Sequence, residues 1–254
     1  MSNNKEENGK GRIYGETAEK NGGSEIIRKI VHFIRRSSED VKSPEQQRIT
    51  RVLLENIDKY GLIDINRAIS KHEEMYGRSV IPLESGFESN VYLFKNDKNR
   101  VIKVTNWQAT NGVSNTYKLN PTIADFVQNK VVAQNQLFPE TPYEILGVTA
   151  DLKFVLEQPY IEPLREVHGK STISAIEKDL VEDGYKKFAG KFGKFHVFWI
   201  DKESQYIVFD LRPANVLLGS DRELYYIDPI IQADTEIFRR VAGIKNEHPK
   251  NFTN

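Results

Sequence analysis

Residues 206–229 read YIVFDLRPANVLLGSDRELYYIDP, and the fold of the chain turns on this stretch. Tyr206 to Phe209 is a short β-branched and aromatic run that predicts a strand. Asp210 breaks it. Val216 to Leu218 is a second run, and Gly219-Ser220-Asp221 predicts a turn that sends the chain back. Leu224 to Ile227 is a third run, closed by Asp228. Asp210, Asn215 and Asp228 therefore stand at the ends of apolar runs, where side chains point out of a sheet. Two carboxylates and an amide in such places suit phosphoryl transfer. One carboxylate orients an attacking hydroxyl, while the amide oxygen and the second carboxylate hold the metal on the nucleotide phosphates. The plain alternative is a β-hairpin with polar turn residues.

Strand signals begin again upstream, at Val80. Residues 81–94 carry turn chemistry inside a strand pattern, Asn96 to Asn99 predicts a hairpin turn, and Arg100 to Val104 predicts the next strand. Alternation places Lys103 on the face of Val101, opposite Ile102 and Val104. A lysine inside a β-branched strand is unusual, because strand centres are at least half buried. Two readings stand: a lysine reaching a ligand phosphate, or an edge-strand lysine that discourages sheet-to-sheet association.

Composition limits the field. The chain has 254 residues, 36 basic and 36 acidic, and no cysteine. The balanced charge offers no argument for binding nucleic acid or an anionic membrane. Without cysteine there is no disulfide, thiolate metal site or cysteine nucleophile. No apolar run approaches the roughly 20 residues that span a bilayer. The first dozen residues lack the hydrophobic core of a signal peptide, so a cytoplasmic protein is expected.

Residues 1–23 are polar and glycine-rich and predict a disordered tail. Ser24 reads as a helix N-cap before Ile26, Ile27, Ile30, Val31, Phe33 and Ile34 at helical spacing, with Arg35 and Arg36 in the last turn. Ser43-Pro44-Glu45-Gln46 reads as a second start, with Ser43 as cap and Gln46 completing a capping box. Ile49, Val52, Leu53 and Ile57 form its buried stripe. A short helix over about residues 66–75 follows. These segments make up a helical extension, residues 24–79, that packs on its own domain. Asn120-Pro121 predicts a further helix start, with Ile123, Phe126, Val127, Val131 and Gln134 on one face. His196 reads as a packed residue of an aromatic strand, not a general base.

Several passages now support a resemblance. Asp210-Leu-Arg-Pro-Ala-Asn215 followed by Ile227-Asp228-Pro229 resembles the catalytic-loop and metal-loop pattern of protein kinases. IPLESGFESNVYL (81–93), VIKVTN (101–106), VAQNQLFPETPYEILGV (132–148) with LEQPYI (156–161), and IVFDLRPANVLL (207–218) with YYIDP (225–229) resemble more closely the kinase-like domains of polyvalent proteins of phages and conjugative elements. The resemblance spans roughly residues 80–230.

It implies an α+β, two-lobed protein-kinase-like fold with a reduced C-lobe. The N-lobe would span about 80–157, the hinge about 157–161 and the C-lobe about 162–254. It implies ATP and Mg²⁺ as cofactors. Lys103 would reach the α and β phosphates, Gly86 and Val91 would belong to the phosphate-covering loop, and Glu157 and Pro159 would flank the adenine. Asp210 would be the catalytic carboxylate with Arg212 beside the transferring phosphate, and Asn215 and Asp228 would be the metal ligands. The acceptor would be a hydroxyl of a protein or small molecule, and the compartment a bacterial host cytoplasm.

Departures from the kinase pattern motivate a second expectation, a catalytically inactive pseudokinase that binds nucleotide or a protein partner. Of three loop glycines only Gly86 remains, with Glu84 and Ser89 in the other places and Glu88 nearby. No Glu lies between Pro121 and Leu137 to pair with Lys103, and Asp125 and Gln128 are weak substitutes. The metal motif is Asp-Pro-Ile. After Asp228 only 26 residues remain, too few for the large helical lobe of peptide kinases. A third, weaker expectation is a small-molecule kinase resembling aminoglycoside phosphotransferases, which share the Asp-x4-Asn loop.

Overall fold

The computed structural model describes residues 22–37, 44–60, 62–65, 80–85, 89–94, 97–107, 119–164 and 171–244. The loop glycine Gly86, the capping residue Ser43 and the helix expected over 66–75 lie outside the described residues. The chain divides into two compact units, each α+β: Met1–Ala109 with Thr122–Val127 and Tyr143–Tyr160, and Thr110–Pro121 with Gln128–Pro142 and Ile161–Asn254.

In the first unit, helices α1 (Gly22–Ser37) and α2 (Pro44–Tyr60) precede strands β1 (Val80–Ser85), β2 (Ser89–Phe94) and β3 (Asp97–Thr105). The short helix α3 (Ile123–Phe126) and strands β4 (Glu144–Val148) and β5 (Phe154–Pro159) complete it. The strands form one antiparallel sheet in the order β1-β2-β3-β5-β4. Apolar alternation sends Ile102 and Val104 into a cluster with Ile63, Leu146 and Val155. Helix α2 buries Ile49, Leu53 and Ile57, as its spacing predicts, and lies against β4. Asn56 donates to the carbonyls of Ile145 and Leu146 at 3.4 and 3.2 Å, beside a register shift in that strand. Gly147 stands in the shift because a Cβ there would meet Ile63 Cδ1 at 3.0 Å.

Local details differ from expectation. Helix α1 begins at Gly22, ahead of Ser24 and inside the segment read as tail. The Gln46 amide donates to the carbonyl of Ala124 at 3.1 Å, a long-range bond that a capping-box assignment does not foresee. Strand β3 begins at Asp97, within the residues read as a turn. The N-cap of α3 is Thr122, not Asn120. Its hydroxyl accepts from Asp125 N and its own N–H donates to the Asp125 carboxylate, a closed capping box.

In the second unit, a π-helical stretch (Val127–Val132 in full) leads into α4 (Ala133–Leu137). Then come α5 (Ile173–Glu182), β6 (Lys186–Phe192), β7 (Phe195–Ile200), β8 (Tyr206–Phe209), β9 (Val216–Leu218), β10 (Leu224–Tyr226), β11 (Ile230–Ala233) and α6 (Glu236–Val241). The expected strand-turn-strand-turn-strand is present as β8, β9 and β10. Strands β9 and β10 pair with each other, while β8 belongs to a separate antiparallel sheet of order β11-β8-β7-β6. Strands β6 and β11 are additions to the sequence reading. His196 is exposed, contrary to its reading as packed.

All four residues of β8 are buried. Ile207 and Phe209 enter one core with Phe192, Phe195, Phe198 and Phe238, and Tyr206 and Val208 enter another with Trp199, Tyr226 and Ile231. Burial on both faces explains why the run shows no polar alternation. Phe209 is its anchor: the rings of Phe192, Phe195, Phe198 and Phe238 lie 5.1–6.1 Å away, centroid to centroid. Truncation to alanine opens a cavity at the foot of the Asp210–Asn215 loop. Phe209→Ala is expected to cost about 3–5 kcal/mol, measured as a lowered denaturation midpoint in urea.

Candidate functional site

The second unit assembles Asp210, Arg212, Asn215 and Asp228. Strand pairing does the first part of the work. Ile230 of β11 is the register partner of Phe209 of β8, so Asp210 and Asp228-Pro229 leave the same end of one strand pair. Hydrogen bonds do the rest. The Asn215 amide donates to the Asp210 backbone carbonyl at 2.8 Å and to its Oδ2 at 3.0 Å. The Asn215 carbonyl accepts the N–H groups of Ile227 and Asp228 at 3.0 and 3.4 Å. One buried asparagine thus ties both carboxylate-bearing segments together.

Asp210 is held in the left-handed region at φ 58°. Such a backbone is uncommon for a residue with a side chain, though Asp and Asn tolerate it best, and it concentrates where geometry serves function. The loop is closed by Arg212 N donating to Asp210 O at 3.0 Å and Asn215 N to Arg212 O at 2.8 Å. The Arg212 Nε lies 3.3 Å from Asp210 Oδ1, and its side chain is 58% exposed against 9% for Asp210. The guanidinium therefore touches the carboxylate and still faces solvent.

Burial raises the Asp210 carboxyl above its ordinary range. Arg212, the Asn215 amide and Lys194 act the other way, and the charge of Asp228 adds a smaller upward push. Asp228 carries its own cation: Lys130 Nζ lies 2.5 Å from its Oδ1. Lys130 and Lys194 are members of this cluster that the sequence reading missed. Lys130 lies 98 positions from its partner and in a π-helical turn, so no local pattern joins them.

In the first unit Lys103 is 5% exposed. Strand β3 lies between β2 and β5, in the middle of the sheet, which removes the edge-strand reading. The Lys103 ammonium donates to Tyr143 Oη at 2.9 Å and lies 5.1 Å from the centre of that ring. Val91 is its register partner on β2. Glu157 and Pro159 lie on β5, with Arg100 Nη1 donating to Glu157 Oε1 at 3.0 Å. Asp125, considered as a partner for Lys103, is engaged in the Thr122 capping box, and the Gln128 amide donates to Tyr206 Oη at 2.7 Å.

The donor set suits magnesium. Asp210, Asn215 and Asp228 offer hard oxygen atoms, although the Lys130 ammonium now rests against Asp228. Among the described residues no group of three or more His, Cys, Asp or Glu is placed to hold a metal by itself. Magnesium rarely uses such a cage; it is commonly held by one or two carboxylates and the substrate's phosphates. A cleft of about 630 Å³ in the same unit has Glu140, Asp179, Asp183, Tyr185 and Asp201 among its lining, and none of the predicted site residues. Among the described residues no helix is long and apolar enough to cross a membrane.

Residues 64–235 match the family model described as serine/threonine/tyrosine kinase found in polyvalent proteins. No curated protein and no solved structure matches the chain. The match covers more than half of the 254 residues, and the chain belongs to this kinase family.

The raised Asp210 carboxyl has a consequence for folding. Its proton-linked contribution to stability is complete below the unfolded Asp value of about 3.9 and is lost as pH rises through the folded-state value. Asp210→Asn keeps the left-handed backbone and removes that loss. The variant is expected to melt at or above the wild-type temperature at neutral pH, with a flatter dependence of Tm on pH across the acid range. Melting curves followed by circular dichroism test this.

Proposed function

We propose, with membership of the polyvalent-protein kinase family as premise, that this chain is an ATP-dependent phosphotransferase acting on a hydroxyl of a protein or small-molecule acceptor. The observation that carries the reading is the Asp210–Asn215–Asp228 arrangement, held by the Asn215 bonds to Asp210 and to the Ile227 and Asp228 amides. We infer a two-lobed kinase-like fold, in keeping with the family match over residues 64–235, and propose for it the divisions expected from sequence.

In this reading Asp210 accepts a hydrogen bond from the acceptor hydroxyl and orients its oxygen toward the γ-phosphorus. Arg212, exposed and already beside Asp210, offsets the negative charge on the transferring phosphoryl group. Asn215 and Asp228 would hold Mg²⁺, which would supply charge neutralisation on the nucleotide phosphates. Lys103 holds the α and β phosphates. Its burial in mid-sheet supports a role beyond that of a solvated surface lysine. Val91, Gly86, Glu157 and Pro159 line the nucleotide as the family pattern implies.

A second reading, a nucleotide-binding pseudokinase, is favoured by one observation: a lysine ammonium already occupies the Asp228 carboxylate. The two are separated by thermal shift with ATP in the presence and absence of Mg²⁺, run beside transfer of radiolabelled phosphate. A nucleotide shift without transfer supports the pseudokinase.

The kinase reading makes two demands. Asp210→Asn should keep the nucleotide-induced rise in Tm while phosphate transfer falls about 10²-fold or more. Equal labelling by wild type and variant would refute the assignment. The acid limb of kcat/KM should lie above the ordinary aspartate range, because the ionised form is required and burial raises the group. Arg212→Gln should move that limb to higher pH, since Arg212 pulls the carboxyl down; a pH-rate profile of both proteins reads the displacement.

A further inference from the structure

The Lys130–Asp228 contact is built, not incidental. Lys130 stands in the π-helical stretch Val127–Val132, and Gln134 lies four residues later in α4. The buried Gln134 amide donates to the Tyr226 carbonyl at 2.7 Å and to Thr141 Oγ1 at 3.0 Å. Thr141 Oγ1 donates to the same Tyr226 carbonyl at 2.8 Å. This segment is therefore bonded to the chain two residues before Asp228. Lys130 sits one turn back along the helical axis, where its ammonium meets Asp228 Oδ1 at 2.5 Å. Side-chain bonds from the two residues before it, Asn129 to Asn120 Oδ1 at 3.1 Å and Gln128 to Tyr206 Oη at 2.7 Å, hold the chain leading into Lys130. Its side chain is 10% exposed and that of Asp228 is 32% exposed. The Asp228 side chain is thus partly exposed, with its Oδ1 against the ammonium.

A divalent cation and this ammonium compete for the same charge. A lysine ammonium is a compact cation on a flexible stem, so it can leave a carboxylate by rotating its own side chain while the helix stays in place. A second, doubly charged cation on Asp228 would repel it at contact distance. We propose that Lys130 is the resident counter-ion of Asp228 and must withdraw for a divalent cation to bind. Competition with Lys130 then sets the metal affinity of the nucleotide-free protein. The inference rests on the reading of Asp228 as a metal ligand. Lys130 is on this account a positioning residue: it holds Asp228 oriented without metal and releases it on loading.

The test uses the full chain without nucleotide and Mn²⁺ alone as the probe, with binding read by electron paramagnetic resonance of the free ion. Lys130→Gln is expected to bind Mn²⁺ about tenfold or more tightly than wild type, Lys130→Arg to stay close to wild type, and Asp228→Asn to lose the site. Equal affinity in wild type and Lys130→Gln, with loss in Asp228→Asn, overturns the competition and leaves the metal-site reading standing. No Asp228-dependent binding in either protein overturns both. A second measurement needs no variant: amine acylation of the wild-type protein, with Lys130 followed by mass spectrometry. Its acylation rate should rise several-fold when Mg²⁺ alone is added, and an unchanged rate overturns the proposal even if Lys130→Gln does not fold.

Discussion

The pairing of β8 with β11 is the constraint on which the candidate site depends. Tyr206 to Phe209 is buried on both faces, so its position in the sheet is fixed by two cores at once. A slip of one residue would exchange the contents of those cores and pull Phe209 from its ring of four phenylalanines. With β8 fixed, the Ile230–Phe209 pairing brings Asp210 and Asp228 to one end of the sheet although 18 positions separate them. Asn215 then completes the arrangement with bonds to both sides. The chemistry is carried by loops, but two strands and an aromatic core decide where those loops lie.

Charge in this region is arranged as opposing pressures. Burial works against ionisation of Asp210, and Arg212, Asn215 and Lys194 work for it. Asp228 faces a contest of another kind, between an ammonium supplied by the protein and any cation arriving from solvent. A carboxylate buried without such partners would take up a proton, because an unpaired charge in a low-dielectric setting costs several kcal/mol. The two acids thus differ in their neighbours, Arg212 against Asp210 and Lys130 against Asp228, and in their solvent access. The family to which the chain belongs gives that arrangement a chemical context.

Much of this was legible in the linear order of residues, and the parts that were not share a cause. Strands β8, β9 and β10, the aromatic strand β7, helix α2 and the exceptional character of Lys103 all follow from local patterns of apolar residues and turns. Strand β11 was missed because Ile230 to Ala233 is a run of four after a proline, too short to announce a strand without its partner. His196 was misread because aromatic neighbours suggested burial, whereas its strand turns that side chain outward. The Asn120-Pro121 start failed because the Thr122–Asp125 capping box begins the helix two residues later. Gln46 spends its amide on Ala124, 78 residues away.

The sequence alone determined which residue types stand at the ends of apolar runs: Asp210, Asn215 and Asp228 are visible there because periodicity and turn chemistry are local properties of a chain. Only tertiary structure decided their company. Lys130 on Asp228, Tyr143 under Lys103 and Gln134 on the Tyr226 carbonyl join residues 98, 40 and 92 positions apart. Neither spacing nor propensity encodes such pairs, because what selects them is the packing of separate elements and the requirement that buried polar groups find partners.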